Sequence, residues 1–185
     1  CELLNELFSG VTGGPALLLE NLWQPGLTMT DPELTARLLE GVRYPNKGIM
    51  LDTGHLMHTN TSLRTQPQAL AYIHEMLDLH GSLCRHIRGV HLNQSLTGGY
   101  MRRVMRRPPV FAEDYMQRSY QLFEYVFKVD RHRPFTCPGV AALLERIAPE
   151  YVTFEFISND LPQLRRMLHR QQNALAREGF ALSGI

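Results

Sequence analysis

Four short, mostly apolar segments, each followed by a segment with helical spacing, constrain the fold of this chain more than any other feature. The segments span residues 16–20, 48–52, 86–92 and 151–156. Such segments are typical of strands that are covered on both faces, as in a parallel sheet flanked by helices. Repeated strand and helix alternation requires helical crossovers between parallel strands. The sequence therefore predicts an α/β fold, with residues 1–185 forming a single domain.

The number of strand and helix units predicts part of a barrel. A complete (β/α)8 (TIM) barrel usually takes about 250 residues, whereas this chain has 185. We therefore expect the chain to supply strands five to eight of a TIM barrel, with a doubly wound open sheet as the alternative. Residues 97–128 are interpreted as a long, basic insertion at the catalytic face.

A half barrel leaves its first and last strands unpaired, and unpaired edges pair with other chains. Such a chain would form a homo-oligomer, aggregate, or belong to a longer protein. The chain begins at Cys1, without a methionine and inside a helical pattern. We expect a longer protein whose N-terminal strands complete the barrel.

Apolar spacing and capping residues predict the helices. They span residues 2–8, 33–40, 66–83, 112–127, 140–148 and 160–178. Thr30 opens a capping box before the second helix, and Asp160 is a typical N-cap for the last one. In the helix 112–127, an apolar stripe is predicted from Tyr115, Leu122, Tyr125 and Val126.

The composition is that of an ordinary globular domain, with 44% hydrophobic residues, 20% charged residues and a net charge of +1. No apolar run approaches the roughly 20 residues that span a bilayer. The three cysteines are far apart and form no CxxC pair, which indicates a reducing compartment. We therefore expect a cytoplasmic protein without a membrane partner.

Side chains that can bind metal follow or end all four predicted strands. They are Glu20, Asp52, His91 and Glu155. The carboxyl ends of parallel strands face the active site in α/β folds, so the four side chains would converge. Each one alone is explained equally well as a cap, an ion-pair partner or a buried histidine. Together they predict a divalent ion such as Mn, Mg, Fe or Zn, because carboxylates with imidazole suit these ions.

Three further candidate ligands lie near these strands. His55 stands three residues after Asp52, and Asp130 with His132 forms an Asp-x-His pair. Such a pair can bind one ion with both side chains, or it can belong to a surface turn. The residues alone leave both interpretations open.

The motifs around these residues resemble the xylose isomerase-like TIM barrels, the superfamily of sugar phosphate isomerases and epimerases and of endonuclease IV (AP endonuclease family 2). The similar segments are Leu-Leu-Leu-Glu20-Asn, Leu-Asp52-Thr-Gly-His55, Val-His91-Leu-Asn93 and Val-Asp130-Arg-His132, with Glu155 at the last strand. They occur in the endonuclease IV order. The resemblance implies metal ligands at seven positions, namely Glu20, Asp52, His55, His91, Asp130, His132 and Glu155.

The chain departs from endonuclease IV where that family is most specific. Gln94 stands where the third motif usually has Asp, and residues 136–139 replace a Gly-Glu-Gly stretch. Two histidines of earlier strands, which complete the family's multinuclear zinc site, have no counterpart here. The isomerase and epimerase branch needs only the four residues at the strand ends, and all four are present. The resemblance therefore favours that branch.

The first functional prediction is a metal-dependent isomerase or epimerase acting on a sugar or sugar phosphate. The ion would act as a Lewis acid, and Glu20 and Glu155 would transfer a proton from opposite sides of the substrate. Substrate contacts are predicted for His55, Asn93, Arg102, Arg103 and Arg133. Arg102, Arg103, Arg106 and Arg107 suit a phosphate group, because a guanidinium pairs bidentately with its oxygens. The same four arginines are also explained as a solvated loop.

Two alternatives belong to other classes. The seven ligands could hold two or three zinc ions of a phosphodiesterase that acts on DNA, with the basic insertion on the nucleic acid backbone. The net charge of +1 gives this only weak support. The chain could also be a non-catalytic barrel that keeps the ligands for stability.

Overall fold

The computed structural model describes residues 1–23 and 26–181, and the last four residues of the predicted domain lie outside this part. The described chain has an α/β fold with a four-stranded, fully parallel sheet. The strands are β1 (Leu17–Glu20), β2 (Lys47–Asp52), β3 (Ile87–His91) and β4 (Tyr151–Thr153). They lie in sequential order, so β1 and β4 form the edges. The α/β prediction is confirmed.

Eight α-helices and one 3₁₀ helix connect and flank the strands in the described residues. They are α1 (Glu2–Leu7), α2 (Pro32–Gly41), α3 (Thr53–His58), α4 (Gln66–His80), the 3₁₀ helix Gly81–His86, α5 (Gly98–Arg106), α6 (Tyr115–Val129), α7 (Val140–Ile147) and α8 (Leu161–Arg177). None of these helices is both long and apolar enough to cross a membrane.

The core lies between the sheet and the helices. Ile49 and Leu51 of β2 pack with Ile73 of α4 and Leu143 of α7, and all four side chains are 1% exposed or less. Burial of one such side chain contributes roughly 1.5–3 kcal/mol. This packing fixes the central strand, and its register places Asp52 directly beside His91 of β3.

Three helix starts differ from the sequence predictions, and one of them is that of α6, which begins at Tyr115 and not at residue 112. The N-cap of α2 is Asp31, not Thr30, because Asp31 Oδ1 accepts hydrogen bonds from the amides of Glu33 and Leu34 at 2.9 and 3.1 Å. Helix α3 was not predicted at all. It is a short helix capped by Asp52, whose Oδ1 accepts from the His55 amide at 2.7 Å. Asp160 caps α8 as predicted.

The last strand is shorter than predicted and ends at Thr153. The final ladder bond runs from the amide of Leu92 to Thr153 O at 2.8 Å, after which the chain leaves the sheet. The rings of Phe154 and Phe156 then stack, with centroids 5.9 Å apart. Glu155 therefore stands on the segment after β4 and not within the strand.

The predicted insertion, residues 97–128, contains two helices, of which α5 was not predicted. Thr97 Oγ1 donates to Val129 O at 2.5 Å and so joins the two ends of this hairpin, and the Arg102 guanidinium donates to Thr61 O outside it. Tyr125 packs against Tyr100. The other members of the predicted apolar stripe, Tyr115, Leu122 and Val126, are exposed.

Candidate metal centre

Glu20, Asp52, His91 and Glu155, which we call the strand-end set, come together at the carboxyl edge of the sheet. One ligand atom from each lies within 4.8 Å of the others. His91 Nδ1 lies 3.1 Å from Glu155 Oε2, 3.4 Å from Glu20 Oε1 and 3.6 Å from Asp52 Oδ2. Three of the four are the final residues of β1, β2 and β3. The predicted convergence of these side chains is thus observed.

The members of the strand-end set differ in exposure. The Asp52 side chain is completely buried, whereas the side chains of Glu20 and Glu155 are 35% and 45% exposed. The two glutamates come from opposite edges of the sheet, since Glu20 ends β1 and Glu155 follows β4. Their carboxylates nevertheless meet at one place, with a ligand oxygen of each within 4.8 Å of the other.

The hydrogen bonds of the strand-end set indicate that it suits a cation. His91 Nδ1 and Glu155 Oε2 are buried and lie 3.1 Å apart, yet neither atom meets the geometry of a hydrogen bond with any described residue. Unpaired buried polar atoms are costly, and three carboxylates at this separation repel one another. A divalent ion would satisfy these atoms and balance the charge. Three carboxylates and one imidazole suit Mn, Mg or Zn.

The structure holds the Asp52 carboxylate in a fixed position. Asp52 Oδ2 accepts from Asn93 Nδ2 at 2.9 Å, and its backbone exchanges two hydrogen bonds with the Asn21 carboxamide, at 2.7 and 3.1 Å. A Cβ at Gly54 would overlap Asn93 Oδ1, which explains the glycine at this position. Such supporting contacts orient metal ligands and tune their affinity.

His55, Asp130 and His132, which we call the inner trio, form a second group beside the first. Asp130 Oδ2 accepts from His132 Nε2 at 2.7 Å and from His55 Nε2 at 3.2 Å. His55 Nδ1 donates to Asn21 O at 2.8 Å, and His132 Nδ1 donates to Glu155 O at 3.0 Å. Ligand atoms of His55 and His132 also lie within 4.8 Å of Asp52.

His132 has a backbone φ of 43°, in the left-handed region that costs energy for a residue with a side chain. Ser95 Oγ supports this turn by accepting from the amides of Arg131 and His132 at 2.8 and 3.1 Å. The Asp-x-His pair is therefore part of the site and not an exposed turn, since Asp130 and His132 are both 5% exposed.

Three functional candidates were not found from the sequence. His58 Nε2 donates to Asp130 Oδ1 at 3.1 Å, and Ser95 Oγ contacts the same oxygen at 3.3 Å. The Trp23 ring lies 4.7 Å from that of His55. The spacing of His55 and His58, which places both on one side of a short helix, was a signal for His58. Trp23 and Ser95 gave no comparable signal.

Protons on the histidines and charges on the carboxylates stabilise each other in the metal-free chain. Burial opposes protonation of His55, but Asp130 and Glu20 outweigh it and raise its pKa to about 10. The carboxylates of Asp52 and Glu20 raise the pKa of His91 to about 10. The same contacts, with His55 and His91, lower the pKa of Glu20 to about 2.

Asp130 is the most strongly affected carboxylate. Burial alone would raise its pKa, but hydrogen bonds from His132, His55 and His58 hold the pKa far below its ordinary value. Burial likewise disfavours the charged form of His132, and the neighbouring Asp130 carboxylate outweighs this and raises the pKa. The single carboxylate of the inner trio is therefore held in its charged form by the surrounding imidazoles.

The predicted substrate contacts lie in different places. Asn93 is completely buried behind Asp52, so its observed contact is with a ligand and not with the open site. Arg102 donates to Thr61 O, and the Arg103 guanidinium lies 5.5 Å from the centre of the Tyr100 ring. Arg133 Nη1 reaches Met167 Sδ at 3.8 Å. His55 also adjoins the strand-end set, with its Nδ1 3.3 Å from Glu20 Oε1.

Comparison of the chain with protein-family models, curated proteins and solved structures finds no match. The functional assignment therefore depends on the geometry of the site and on the sequence motifs.

Proposed function

We propose that this chain carries the metal site of an isomerase or epimerase that acts on a sugar or sugar phosphate by proton transfer. One observation supports this most strongly: the strand-end set joins four ligands whose two accessible members are glutamates on opposite edges of the sheet. A single ion with two flanking carboxylates is what proton transfer next to a carbonyl needs.

The arrangement of the strands supports placing the chain in a xylose isomerase-like TIM barrel. Doubly wound sheets reverse their strand order at a switch point, whereas these four parallel strands follow one another without reversal. Barrel strands follow the same sequential order, with ligands at their carboxyl ends. We infer that the chain supplies strands five to eight, and that partner strands pair with the edges β1 and β4.

The divalent ion would be held by Glu20, Asp52, His91 and Glu155, and when bound it would polarise the substrate carbonyl and an adjacent hydroxyl. The residues of the chain then perform the proton transfer. One glutamate accepts the proton from the carbon next to the carbonyl, which leaves an enediolate. Return of a proton to the same carbon from the opposite glutamate inverts that carbon and gives the epimer. Return of the proton to the former carbonyl carbon, with a proton transferred from the neighbouring hydroxyl oxygen to the former carbonyl oxygen, gives the isomer.

Two neighbouring residues suit substrate recognition. His55 lies beside Glu20 and is 8% exposed, so its imidazole is close enough to orient that carboxylate. The Trp23 ring covers His55 and His58, with ring centroids 4.7 and 5.1 Å apart. An aromatic wall next to a polar rim is typical of sites that bind small polar ligands and exclude water.

Solvent proton exchange tests this proposal across many candidate substrates at once. The full chain, loaded with Mn or Mg, is incubated in D2O with a panel of ketoses, aldoses and their phosphates, and deuterium at the carbon next to the carbonyl is followed by NMR. We expect incorporation with at least one sugar and its loss in Glu155→Gln. Exchange that persists undiminished in Glu155→Gln would contradict the proposed role.

A second candidate function is a zinc-dependent phosphodiesterase of the endonuclease IV type. The observation in its favour is that imidazole nitrogens of His55 and His132 meet one Asp130 oxygen, at 3.2 and 2.7 Å. Two His nitrogens and a carboxylate can hold a second ion beside the strand-end set, and neighbouring ions suit in-line displacement at phosphorus. Zinc-dependent cleavage of abasic DNA, without sugar exchange, would select this alternative.

A further inference from the structure

A cavity of about 530 Å³ lies between the loop that follows His132 and helix α8. It is lined by Arg133, Gln163, Arg166, Met167, His169 and Arg170. None of these residues belongs to the strand-end set or to the inner trio. The cavity is therefore distinct from the candidate metal centre in its residues, although Arg133 directly follows a member of the inner trio.

The lining carries positive charge that the described residues do not balance. Three guanidinium groups and one imidazole face the cavity, and within residues 1–23 and 26–181 no carboxylate lines it. Among the described residues, none of these four side chains forms an ion pair, in contrast to Arg88 and Arg146, which pair with Glu150 and Asp78. Helix α8 has no acidic residue between its N-cap and Glu178. An anion in the cavity would lower the repulsion among these groups.

The local geometry directs donors into one space. Gln163, Arg166 and Arg170 are three and four residues apart and share one face of α8. Met167, which is 4% exposed, forms an apolar floor over which Arg133 Nη1 lies, 3.8 Å from the sulfur. Gln163 Oε1 already accepts from the Asn159 amide at 2.7 Å, so its NH2 group is the part free to donate.

The chemistry of the lining selects the class of ligand. Guanidinium groups and an amide NH2 donate hydrogen bonds and accept none, so the matching ligand has several acceptor oxygens and negative charge. A phosphate group has both, and guanidinium groups bind it bidentately. Because the donors converge on one cavity and are not spread along a face, a single phosphate group fits better than an extended nucleic acid backbone.

We propose that this cavity binds the phosphate group of a phosphorylated substrate whose sugar end reaches the strand-end set. The proposal rests on the proposed isomerase or epimerase function and narrows its substrate class to sugar phosphates. The chain position of Arg133 supports the connection, because His132 immediately before it belongs to the inner trio.

Binding of inorganic phosphate to the full chain tests the cavity, measured by isothermal titration calorimetry in a phosphate-free buffer of constant ionic strength. We expect saturable binding that weakens at least about tenfold in the double variant Arg166→Gln/Arg170→Gln, since each lost group made a charge-assisted hydrogen bond. Arg165→Gln is the matched control, because Arg165 is an exposed arginine of the same helix outside the lining. It should bind phosphate as the unsubstituted chain does.

Two results would overturn the cavity as a phosphate site. One is the absence of saturable phosphate binding. The other is an equal loss in Arg165→Gln, which would assign binding to the general charge of α8. A competition experiment with glycerol phosphate then distinguishes the sources of the anion. Displacement of inorganic phosphate by this monoester is expected, and failure to displace it would leave a site for free phosphate and overturn the substrate assignment.

The outcomes for the two proposals are separable. The double variant leaves the strand-end set intact, so metal content should not change, and metal content is measured on the same samples. Phosphate binding with no bound metal and no proton exchange would contradict the proposed function alone. Bound metal and proton exchange without phosphate binding would contradict this inference alone.

Discussion

The strand-end set and the inner trio both combine carboxylates with imidazoles, but the polar atoms of the two groups form hydrogen bonds to different extents. In the inner trio, one carboxylate, Asp130, accepts hydrogen bonds from His55 and His132, and a third comes from His58. In the strand-end set, three carboxylates surround one imidazole, and His91 Nδ1 lies 3.1–3.6 Å from all three without the geometry of a hydrogen bond to any of them.

This difference shows which group needs an ion. In the inner trio, hydrogen bonds from protonated histidines already compensate the charge of the single carboxylate, Asp130. The strand-end set has an excess of negative charge that a single protonated histidine does not balance, so a divalent cation stabilises it more. We therefore expect the strand-end set to be the metal site. We expect the hydrogen bonds of the inner trio to hold the His55 side chain and the turn at His132 in position without a metal ion.

The largest effect that this comparison predicts is the loss of metal binding in Asp52→Asn. The substitution removes a buried ligand but keeps an N-cap for α3, because Asn caps helices as well as Asp does. We expect a loss of metal affinity greater than the roughly 10- to 100-fold that follows removal of an outer contact. Titration calorimetry with Mn measures it, and circular dichroism checks the fold.

Asp31→Asn is the matched control for this variant, since it makes the same chemical change at the N-cap of α2, outside both groups. Metal affinity should not change in Asp31→Asn. If Asp52→Asn also bound metal normally, the strand-end set would not be the site.

The second prediction compares two residues that each form a hydrogen bond to a carboxylate of one group. Asn93 donates to Asp52, and Ser95 contacts Asp130, so each residue supports one group through a side-chain hydrogen bond. Asn93→Ala should weaken metal binding roughly 10- to 100-fold, whereas Ser95→Ala should leave it unchanged. Equilibrium dialysis of both variants with Mn provides the measurement. Equal losses would mean that both groups hold metal.

The third prediction concerns the stability of the inner trio. His132→Ala removes one donor from the buried Asp130 carboxylate and should lower the free energy of unfolding by about 1–3 kcal/mol. The metal content should stay the same. Urea unfolding and elemental analysis of the same preparation test both statements, and a loss of bound metal would move the inner trio into the metal site.

The smallest expected effect is the pH dependence of stability in the metal-free chain. The pKa values of His55 and His91 are raised from 6.5 to about 10, so their contribution is complete below pH 6.5 and is lost as the pH rises toward 10. The pKa of Glu20 is lowered from 4.5 to about 2, so its contribution is lost as the pH falls from 4.5 toward 2. Thermal unfolding should therefore occur at the highest temperature between pH 4.5 and 6.5.

Bound metal should oppose the fall of the unfolding temperature at alkaline pH, because an imidazole must be deprotonated to bind a metal ion. The rise in unfolding temperature on addition of Mn should grow as the pH increases above 6.5. A rise that shrinks over the same range would show that the histidines are not ligands.

The sequence predicted the parallel α/β fold and the convergence at the strand ends because both depend on local patterns. Apolar strands with a polar terminal residue bring Glu20, Asp52 and His91 to one edge whenever the strands are parallel. The sequence could not predict that β4 ends at Thr153, because the end of β4 depends on where the backbone of the β3 segment forms its last hydrogen bond to it. Glu155 nevertheless lies close to the other three side chains, as the sequence predicted.

Contacts between distant segments were the part that the sequence could not predict. Asn93 was predicted to face substrate, but a glycine at position 54 lets its carboxamide reach Asp52. His58 was missed because α3 itself was missed, and a six-residue helix has too few apolar positions to show a period. The role of the arginines in α8 depends on Arg133 of a different segment, and no local pattern reveals such a pairing.

Metal content per chain, measured by elemental analysis of the protein purified without chelator, is the measurement that tests this interpretation most directly. One divalent ion per chain, retained in His132→Ala and lost in Asp52→Asn, is the expected result. Two or three zinc ions per chain would contradict the single-ion site and favour phosphodiester hydrolysis. A chain that binds no metal would contradict both enzymatic proposals.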